Sequence, residues 1–521
     1  MLRPTHTLTI VAAVCSTLLV LSACGGESGN DASIGEPTAG GHLDAVQMTE
    51  PRTLDPASMS NSWAFQSLLG NALYGTLITN DVESLETDYS MATDFSTSDE
   101  GRTFTLTLRP DLTFTDGTPL DAAAVKFNWD RLRDPALGST SLRQAMQVTT
   151  TEIVDETTLS ATLETPNPHF ADILVQSSMN WIASPAALQG QQAEFDANPV
   201  GAGPFTLVEW ARQDRIDLTR NDDYWDAPKP YLDSITLRTS PDTNQRLNAV
   251  ISGAADLTAD SNWSTFARAE DVGLRVETVP MGGGQFMGMN MRRAPFDDER
   301  ARRAVALAVD PSTINGAVYA GNGDDQVPIT VFHEGSPFYS DIPFTEPDKD
   351  AAQELFDELA AEGKPVEFTF VSYSSAENKV ASEALQASLS QFDNVAVDIE
   401  IVDNTEGVSR LTSHDFDMMI TSALVQDPDA ALWTAFHPES SGNFMGADDA
   451  ELTQALDAGR NSETVEARRD AYDVVQNRLV DLNVGLWYVR GAPGVIAATD
   501  LEGIRMYGSG SLLPEELQFA E

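Results

Sequence analysis

Both cysteines of this 521-residue chain, Cys15 and Cys24, lie within its first 24 residues. The chain beyond Cys24 therefore folds without disulfide bonds or cysteine-bound metal, so the burial of apolar side chains must supply its stability. Hydrophobic residues make up 41% of the sequence, which is ordinary for a globular protein. Because a single core usually stops growing near about 250–300 residues, the length predicts two or three lobes.

The first 23 residues have the layout of a secretory signal peptide. Arg3 precedes an apolar run from Leu8 to Leu21, and small residues follow. That run is shorter than the ~20 residues that a membrane-spanning helix needs, and its flanks are typical of a cleaved leader. We therefore expect residues 1–23 to be removed and the mature protein to be exported.

The cysteine that follows the leader predicts a membrane anchor. Leu21-Ser22-Ala23-Cys24 resembles the bacterial lipobox, in which the cysteine is lipidated and becomes the first mature residue. Two or more acyl chains anchor a protein durably, which predicts a place on the extracytoplasmic face of the cell membrane. The alternative is an ordinary cleavage site beside a chance cysteine. Residues 24–42 are mostly small or acidic and predict a flexible tether after the lipidated residue.

The charge balance excludes one class of partner. The sequence has 80 Asp and Glu residues against 31 Lys and Arg residues, a formal net charge of −49. A surface this acidic repels phosphate backbones, so we expect no nucleic-acid partner.

Strand-like and helix-like patterns are mixed along the body of the chain. Phe104, Leu106 and Leu108 alternate with threonines, which predicts a half-buried strand over 103–109. Strands over 366–370 and 395–402 flank a helix predicted over 377–391, and this order indicates a βαβ unit. The sequence shows no fixed-period repeat. It therefore predicts a mixed α/β fold.

No catalytic or metal-binding motif stands out. The sequence lacks a G-x-S-x-G nucleophile elbow, an H-E-x-x-H helix, a G-x-x-x-x-G-K-[ST] phosphate loop and paired cysteines. No two of its histidines fall within five residues of each other, although a metal site assembled from distant segments stays open. Gly282-Gly283-Gly284 lacks the Lys and Ser/Thr of a phosphate loop and predicts a hinge or a tight crossing. We therefore expect no cofactor, no metal and no enzymatic activity.

A long block, GRTFTLTLRPDLTFTDGTPLDAAAVKFNW from Gly101 to Trp129, is accompanied by shorter segments in a fixed order. The shorter segments are Thr53-Leu54-Asp55-Pro56, Leu73–Leu77, Val200–Phe205, Arg220–Trp225, 253–257, and Asn290 with Pro295–Asp298 and Arg302–Ala304. Together these segments resemble the family 5 extracellular solute-binding proteins, the peptide- and nickel-binding components of ABC importers. The resemblance covers nearly the whole mature chain.

This resemblance implies a two-lobed clamshell of the periplasmic-binding-protein type (type II, cluster C-like), with an extra subdomain inserted in the first lobe. Residues 43–85, 200–272 and 490–521 would form the first lobe, 86–199 the inserted subdomain and 273–489 the second lobe. The resemblance further implies a monomeric receptor that captures a small molecule between its lobes and delivers it to the permease subunits of an ABC importer. An exported enzyme or a chemosensory receptor on the same clamshell is the competing interpretation.

The charged anchors used by peptide-binding members of that family are missing here. Such members commonly place an aspartate against the ligand's ammonium group, and some place an arginine against its carboxylate. An ungapped alignment on Asp427-Pro428 puts Leu424 at the aspartate position and Met418 at the arginine position. Because a buried ammonium without a partner is costly, a short zwitterionic peptide held in that way is not expected. A peptide-like ligand such as a capped peptide, an oligosaccharide-like ligand and a metal chelate stay open.

The resemblance and the local sequence select candidate ligand contacts at strand ends and lobe crossings. Ser422, Ala423 and Leu424 lie in the recognition stretch before Asp427-Pro428. Each candidate has a structural alternative as a core or turn residue. The other candidates are Trp63, Gln285, Phe286, Asn443, Phe444 and Trp487. Arg302 and Arg303 are expected on a solvated helix face.

Overall fold

The computed structural model of the chain describes residues 38–323 and 326–520. The expected signal peptide, the lipidation site Cys24 and most of the expected tether lie outside the described residues. Among the described helices, none is both long and apolar enough to cross a membrane.

The strands of the body are short and are distributed along its whole length. In chain order they are β1 (His42–Gln47), β2 (Ile78–Asn80), β3 (Thr87–Tyr89), β4 (Ala92–Thr97), β5 (Thr103–Leu108), β6 (Val148–Ile153), β7 (Thr158–Leu163), β8 (Phe205–Ala211), β9 (Arg215–Arg220), β10 (Ser234–Thr239), β11 (Leu257–Asp260), β12 (Arg275–Thr278), β13 (Gly282–Met289), β14 (Val366–Tyr373), β15 (Val395–Val402), β16 (Met418–Val425), β17 (Gly485–Val489), β18 (Gly494–Ala497), β19 (Leu501–Glu502), β20 (Met506–Tyr507), β21 (Ser511–Leu512) and β22 (Gln518–Phe519).

Helices separate most of these strands. In chain order they are α1 (Ser67–Tyr74), α2 (Ala122–Leu132), α3 (Leu142–Ala145), α4 (Phe170–Val175), α5 (Pro185–Leu188), α6 (Gln192–Ala197), α7 (Thr243–Ile251), α8 (Trp263–Asp271), α9 (Glu299–Ala308), α10 (Pro311–Tyr319), α11 (Lys349–Ala361), α12 (Ala376–Leu389), α13 (Asn404–Ser413), α14 (Thr434–Phe436), α15 (Ala450–Asn461) and α16 (Val465–Leu482). A π-helical turn, Asp429–Trp433, directly precedes α14.

Aspartate side chains begin many of these helices. The Asp121 carboxylate accepts a hydrogen bond from the Ala124 amide at the start of α2. Such a carboxylate satisfies a free helical N–H group and lies at the positive end of the helix dipole. Part of the acidic surplus therefore has a local structural role. The corresponding residues at α7, α9, α10, α11, α13 and α15 are Asp242, Asp298, Asp310, Asp348, Asp403 and Asp449.

The first lobe is built on a seven-stranded mixed sheet in the order β12-β18-β11-β1-β10-β9-β8. β1 lies at its centre and pairs in parallel with β10 and β11. β18, near the C-terminus, pairs antiparallel with both β11 and β12. The expected start of the second lobe at residue 273 is therefore wrong by one strand, because the ladder between β12 and β18 fixes Arg275–Thr278 in the first lobe.

The inserted subdomain is built on a four-stranded antiparallel sheet in the order β4-β5-β7-β6. The strand predicted over 103–109 is confirmed as β5, and Phe104, Leu106 and Leu108 are its buried residues. Helix α2 packs on this sheet through Trp129, whose ring lies edge-on to that of Phe95 at a centroid distance of 6.2 Å. The alternation in the sequence thus identified the face of β5 that carries the core.

The second lobe is built on a five-stranded sheet in the order β15-β14-β16-β13-β17. The predicted βαβ unit is confirmed, since β14 and β15 are parallel neighbours joined by α12. Buried apolar clusters cover both faces of this sheet, one with α9 to α12 and the other with α15 and α16. A core on both faces is the arrangement expected for strands joined by helical crossovers.

Arg302 corrects an expectation about α9. Its side chain is buried, and its guanidinium donates hydrogen bonds to the Leu482 carbonyl at 2.7 Å and to the Phe296 carbonyl at 2.7 Å. Leu482 is the last residue of α16, where unpaired helical carbonyls and the negative end of the helix dipole favour a cation. The expected solvated face is therefore wrong for Arg302.

Two short segments join the lobes. Residues 279–281 connect β12 to β13, and residues 490–493 return from β17 to β18. A Cβ atom on Gly283 would lie 2.0 Å from the Ala423 carbonyl oxygen, and one on Gly284 would lie 2.0 Å from that of Val489. Only glycine fits such an approach. The glycines thus let β13 lie close to the backbones of β16 and β17, directly after the segment 279–281.

Candidate functional site

A cavity of about 540 Å³ lies between the second lobe and the inserted subdomain. Its second-lobe wall includes residues 421–424 of β16, together with Phe286 and Phe444. Arg143, from α3 of the inserted subdomain, lines the cavity from the other side, while every other lining residue belongs to the second lobe. The volume is typical of a small-molecule site, and both halves of the molecule contribute to its walls.

The end of β16 brings the three residues of the predicted recognition stretch to this cavity. Ser422 and Leu424 are exposed, and Ala423 between them is buried, as strand alternation requires. Leu424 also contacts the returning crossover, because a Cβ atom on Gly491 would lie 2.3 Å from Leu424 Cδ2. The recognition stretch therefore adjoins both the cavity and the segment that joins the lobes.

A second cavity, of about 620 Å³, shares Thr421 and Ser422 with the first. Its wall carries neutral polar side chains, among them Gln285 and Asn378, and none of its lining residues in the described part of the chain is charged. The Tyr488 hydroxyl donates a 2.7 Å hydrogen bond to Gln285 Oε1 and so holds that side chain in place. Thr421 and Ser422 thus stand between two adjacent cavities of the second lobe.

Trp63 lies on the first lobe, in a small apolar pocket of about 40 Å³. The pocket also contains Phe65, whose side chain is exposed, and residues at the carboxyl ends of β1 and β11. Ligands of α/β proteins commonly bind at the carboxyl ends of parallel strands. Trp63 is therefore retained as a candidate contact of the first lobe.

Trp487 and Asn443 are placed differently from the expectation. The Trp487 ring is buried and stacks on Phe286 at 4.3 Å and on Phe344 at 5.7 Å between ring centroids. The Asn443 amide is buried and closes its own turn, donating to the Ala447 carbonyl and accepting from the Ala447 amide. Neither side chain lines the cavities at β16. Trp487 is therefore a core residue and Asn443 a turn residue, in place of the expected ligand contacts. Phe286 is also buried, although it forms part of the cavity wall.

The acidic residues that follow β16 are already paired. Asp427 Oδ2 lies 2.8 Å from Arg468 Nη2, and both side chains are nearly inaccessible to solvent. Asp429 Oδ1 accepts a 2.7 Å hydrogen bond from Arg460 Nε. Because each carboxylate has its own guanidinium partner, neither is free to bind a ligand ammonium group.

The inserted subdomain contacts the second lobe beside these pairs. Asn167 Nδ2 donates to Asp429 Oδ2 at 3.4 Å, and His169 Nε2 lies 2.8 Å from the Ser462 carbonyl oxygen. Burial raises the pKa of the Asp172 carboxyl on α4 well above its usual range, and the neighbouring charges of Asp427 and Asp429 raise it further.

Arg143 is the site residue that the sequence did not reveal. It lies on a four-residue helix more than a hundred positions from β13 and β16, outside every segment that carried the resemblance. The segment around it has no motif and no marked periodicity. Only the three-dimensional arrangement brings its guanidinium group to the cavity.

A family model agrees with this architecture. Residues 86–443 match the model described as "Bacterial extracellular solute-binding proteins, family 5 Middle". The glutathione-binding protein GsiB of Shigella boydii serotype 4 is 30% identical over 353 residues, which cover 67% of this chain and 67% of that protein.

Solved structures share the whole fold. The PBP AgaA from A. tumefacien R10, in complex with agropinic acid, superposes with a TM-score of 0.74 at 24% identity, covering 92% of this chain and 99% of the other. The oligopeptide-binding protein AppA from Bacillus subtilis, in complex with a nonapeptide, gives a TM-score of 0.73 at 20% identity, covering 93% and 100%. The two-lobed α/β architecture implied by the sequence resemblance is thereby confirmed.

Proposed function

The chain belongs to family 5 of the bacterial extracellular solute-binding proteins, and from that premise we propose that it captures a solute in the cavity at β16 and delivers it to a particular ABC permease. The observation that carries the proposal is the composition of the cavity wall, which comes from the second lobe on one side and from Arg143 of the inserted subdomain on the other. A solute touching both sides binds a closed arrangement more tightly than an open one, so it shifts the population toward closure.

The proposed solute is peptide-like. The relatives named for glutathione and for a nonapeptide complex support this class. Leu424 and the fully buried Met418 replace the charged anchors that zwitterionic peptides use, which favours a peptide-like solute without a free ammonium group. An oligosaccharide-like solute is the second candidate, since the neutral polar wall around Gln285 and Asn378 suits hydroxyl groups.

Calorimetric titration of the chain beginning at residue 25 tests this function. The panel contains glutathione, free and N-acetylated peptides of two to nine residues, oligosaccharides and nickel chelates. We expect at least one class to bind with 1:1 stoichiometry and to be recovered with unchanged mass. At 100 times its dissociation constant, such a ligand should stabilise the fold by about 2.7 kcal/mol.

Two results would contradict the proposal. One is the absence of binding across the whole panel. The other is a product of altered mass, which would favour the exported enzyme on the same clamshell. A bound, unaltered solute whose uptake by cells persists after deletion of the chain would instead favour a chemosensory receptor.

We extend the proposal to a lipid anchor at Cys24 on the extracytoplasmic face of the cell membrane. The support is the Leu21-Ser22-Ala23-Cys24 sequence and the tether that follows it. An anchor would keep the receptor at a high effective concentration near its permease. We expect labelled palmitate to be incorporated into the full chain and not into the C24A variant. Equal labelling of the two chains would contradict the proposed lipid anchor at Cys24.

A further inference from the structure

The charged lining of the cavity at β16 bears on which solute it would take, and this step rests on the proposed function. Of the described residues that line the cavity, Arg143 alone is charged, in a chain whose net charge is −49. Its guanidinium group has no hydrogen bond or ion pair within residues 38–323 and 326–520. Among the residues that the structure describes, no carboxylate lines the cavity. The cavity therefore offers a positive charge and no counter-charge for a cation.

The rest of the wall supplies hydroxyl groups and apolar contacts. Thr421, Ser422, Thr434 and Ser441 line the cavity, and within the described part of the chain their hydroxyl groups have no hydrogen-bond partner. A guanidinium fork and hydroxyl donors can each donate hydrogen bonds to the oxygens of a carboxylate. The remaining contacts are largely apolar, and they include Leu424 and Phe444.

The acidic residues that follow β16 in the chain do not change this balance. Asp427 and Asp429 follow β16 directly, but Arg468 and Arg460 neutralise them in the buried pairs described above. An ammonium group in the cavity would thus lose its hydration without gaining an ionic partner, which is unfavourable. A carboxylate would gain an ionic partner in Arg143.

We propose that the cavity binds a solute with a carboxylate, an apolar body and no free ammonium group, in which Arg143 holds the carboxylate and residues 421–424 contact the remainder. An N-acylated short peptide has this chemistry. Because Arg143 belongs to the inserted subdomain and the other contacts to the second lobe, the carboxylate is also the group that links the two halves when the cleft closes.

Three matched probes test the proposal by calorimetry on the detergent-solubilised mature chain: N-acetyl-Leu-Phe, its C-terminal amide and unblocked Leu-Phe. We expect the acid to bind at least about 10-fold more tightly than either of the others, because only the acid satisfies Arg143 without burying an ammonium group. Equal or tighter binding of the amide or of the free dipeptide would overturn the proposal, as would no binding of the acid. If these probes failed but a solute of another class from the calorimetric panel still bound, the carboxylate proposal would be wrong and the proposed solute capture would stand.

Variants of Arg143 separate a ligand contact from a structural role. R143M should weaken binding of the acid about 10- to 100-fold and leave binding of the amide unchanged, since a charged hydrogen bond is lost only for the acid. R143K should restore part of the loss, because it keeps the charge without the planar fork. R102M is the matched control, since Arg102 is exposed on the same subdomain and lies outside the cavity. An equal loss for acid and amide in R143M would contradict the assignment.

Discussion

Replacing Arg468 by methionine is expected to lower the free energy of unfolding by about 3–5 kcal/mol, because the Asp427 carboxylate is then left buried without its counter-charge. Arg468 Nη2 lies 2.9 Å from Asp427 Oδ1 and 2.8 Å from Oδ2, and Arg468 Nε donates to the Gly459 carbonyl at 3.3 Å. The guanidinium also lies over the Phe338 ring, 4.8 Å from its centroid. Methionine replaces the apolar stem of the side chain while removing its charge. Equilibrium urea unfolding followed by circular dichroism measures the change.

Arg215 provides the matched control. It also pairs with carboxylates, those of Glu209, Asp214 and Asp217, but at a solvent-exposed position on β9. R215M should therefore cost less than about 1 kcal/mol. The double variant R468M/D427N should recover part of the R468M loss, because it also removes the buried carboxylate charge. Equally small effects of R468M and R215M would contradict the stabilising role of the buried Asp427–Arg468 pair.

Local patterns predicted much of the fold. Alternation identified β5 and its buried face, and the strand–helix–strand order identified the parallel pair of β14 and β15. These features depend on residues close together in the chain, which is why a single sequence contains them.

Pairings between distant segments were harder to predict. The lobe boundary was placed one strand early because the membership of β12 depends on its ladder with β18, more than two hundred residues away. Phe286 and Gln285 were both expected at the ligand, yet successive residues of a strand point to opposite faces. Gln285 lines the cavity of about 620 Å³, whereas Phe286 stacks on Trp487 and adjoins only the cavity of about 540 Å³. Without the register of β13, the sequence could not choose between them.

Long polar side chains gave the least reliable expectations. Arg302, expected in solvent, is buried against the end of α16, whereas Arg143, which carried no expectation, reaches the cavity. The difference depends on which element packs opposite each arginine. Nothing in the residues around either one specifies that neighbour.

Ligand-driven closure of the two lobes is the second large effect that we expect. A solute that moves the molecule from mostly open to mostly closed must bind the closed arrangement about 10⁴-fold more tightly. The contacts available for this preference come from both sides of the cavity: Arg143 on one and residues 421–424 on the other. The short crossing segments, 279–281 and 490–493, are the places where the chain can absorb the rotation.

Small-angle X-ray scattering on the chain beginning at residue 25, with and without the ligand identified by calorimetry, measures this closure directly. At saturation we predict a smaller radius of gyration, a narrower distance distribution and recovery of the ligand with its mass unchanged. Scattering curves that coincide although calorimetry shows full occupancy, or a ligand recovered in altered form, would contradict the account.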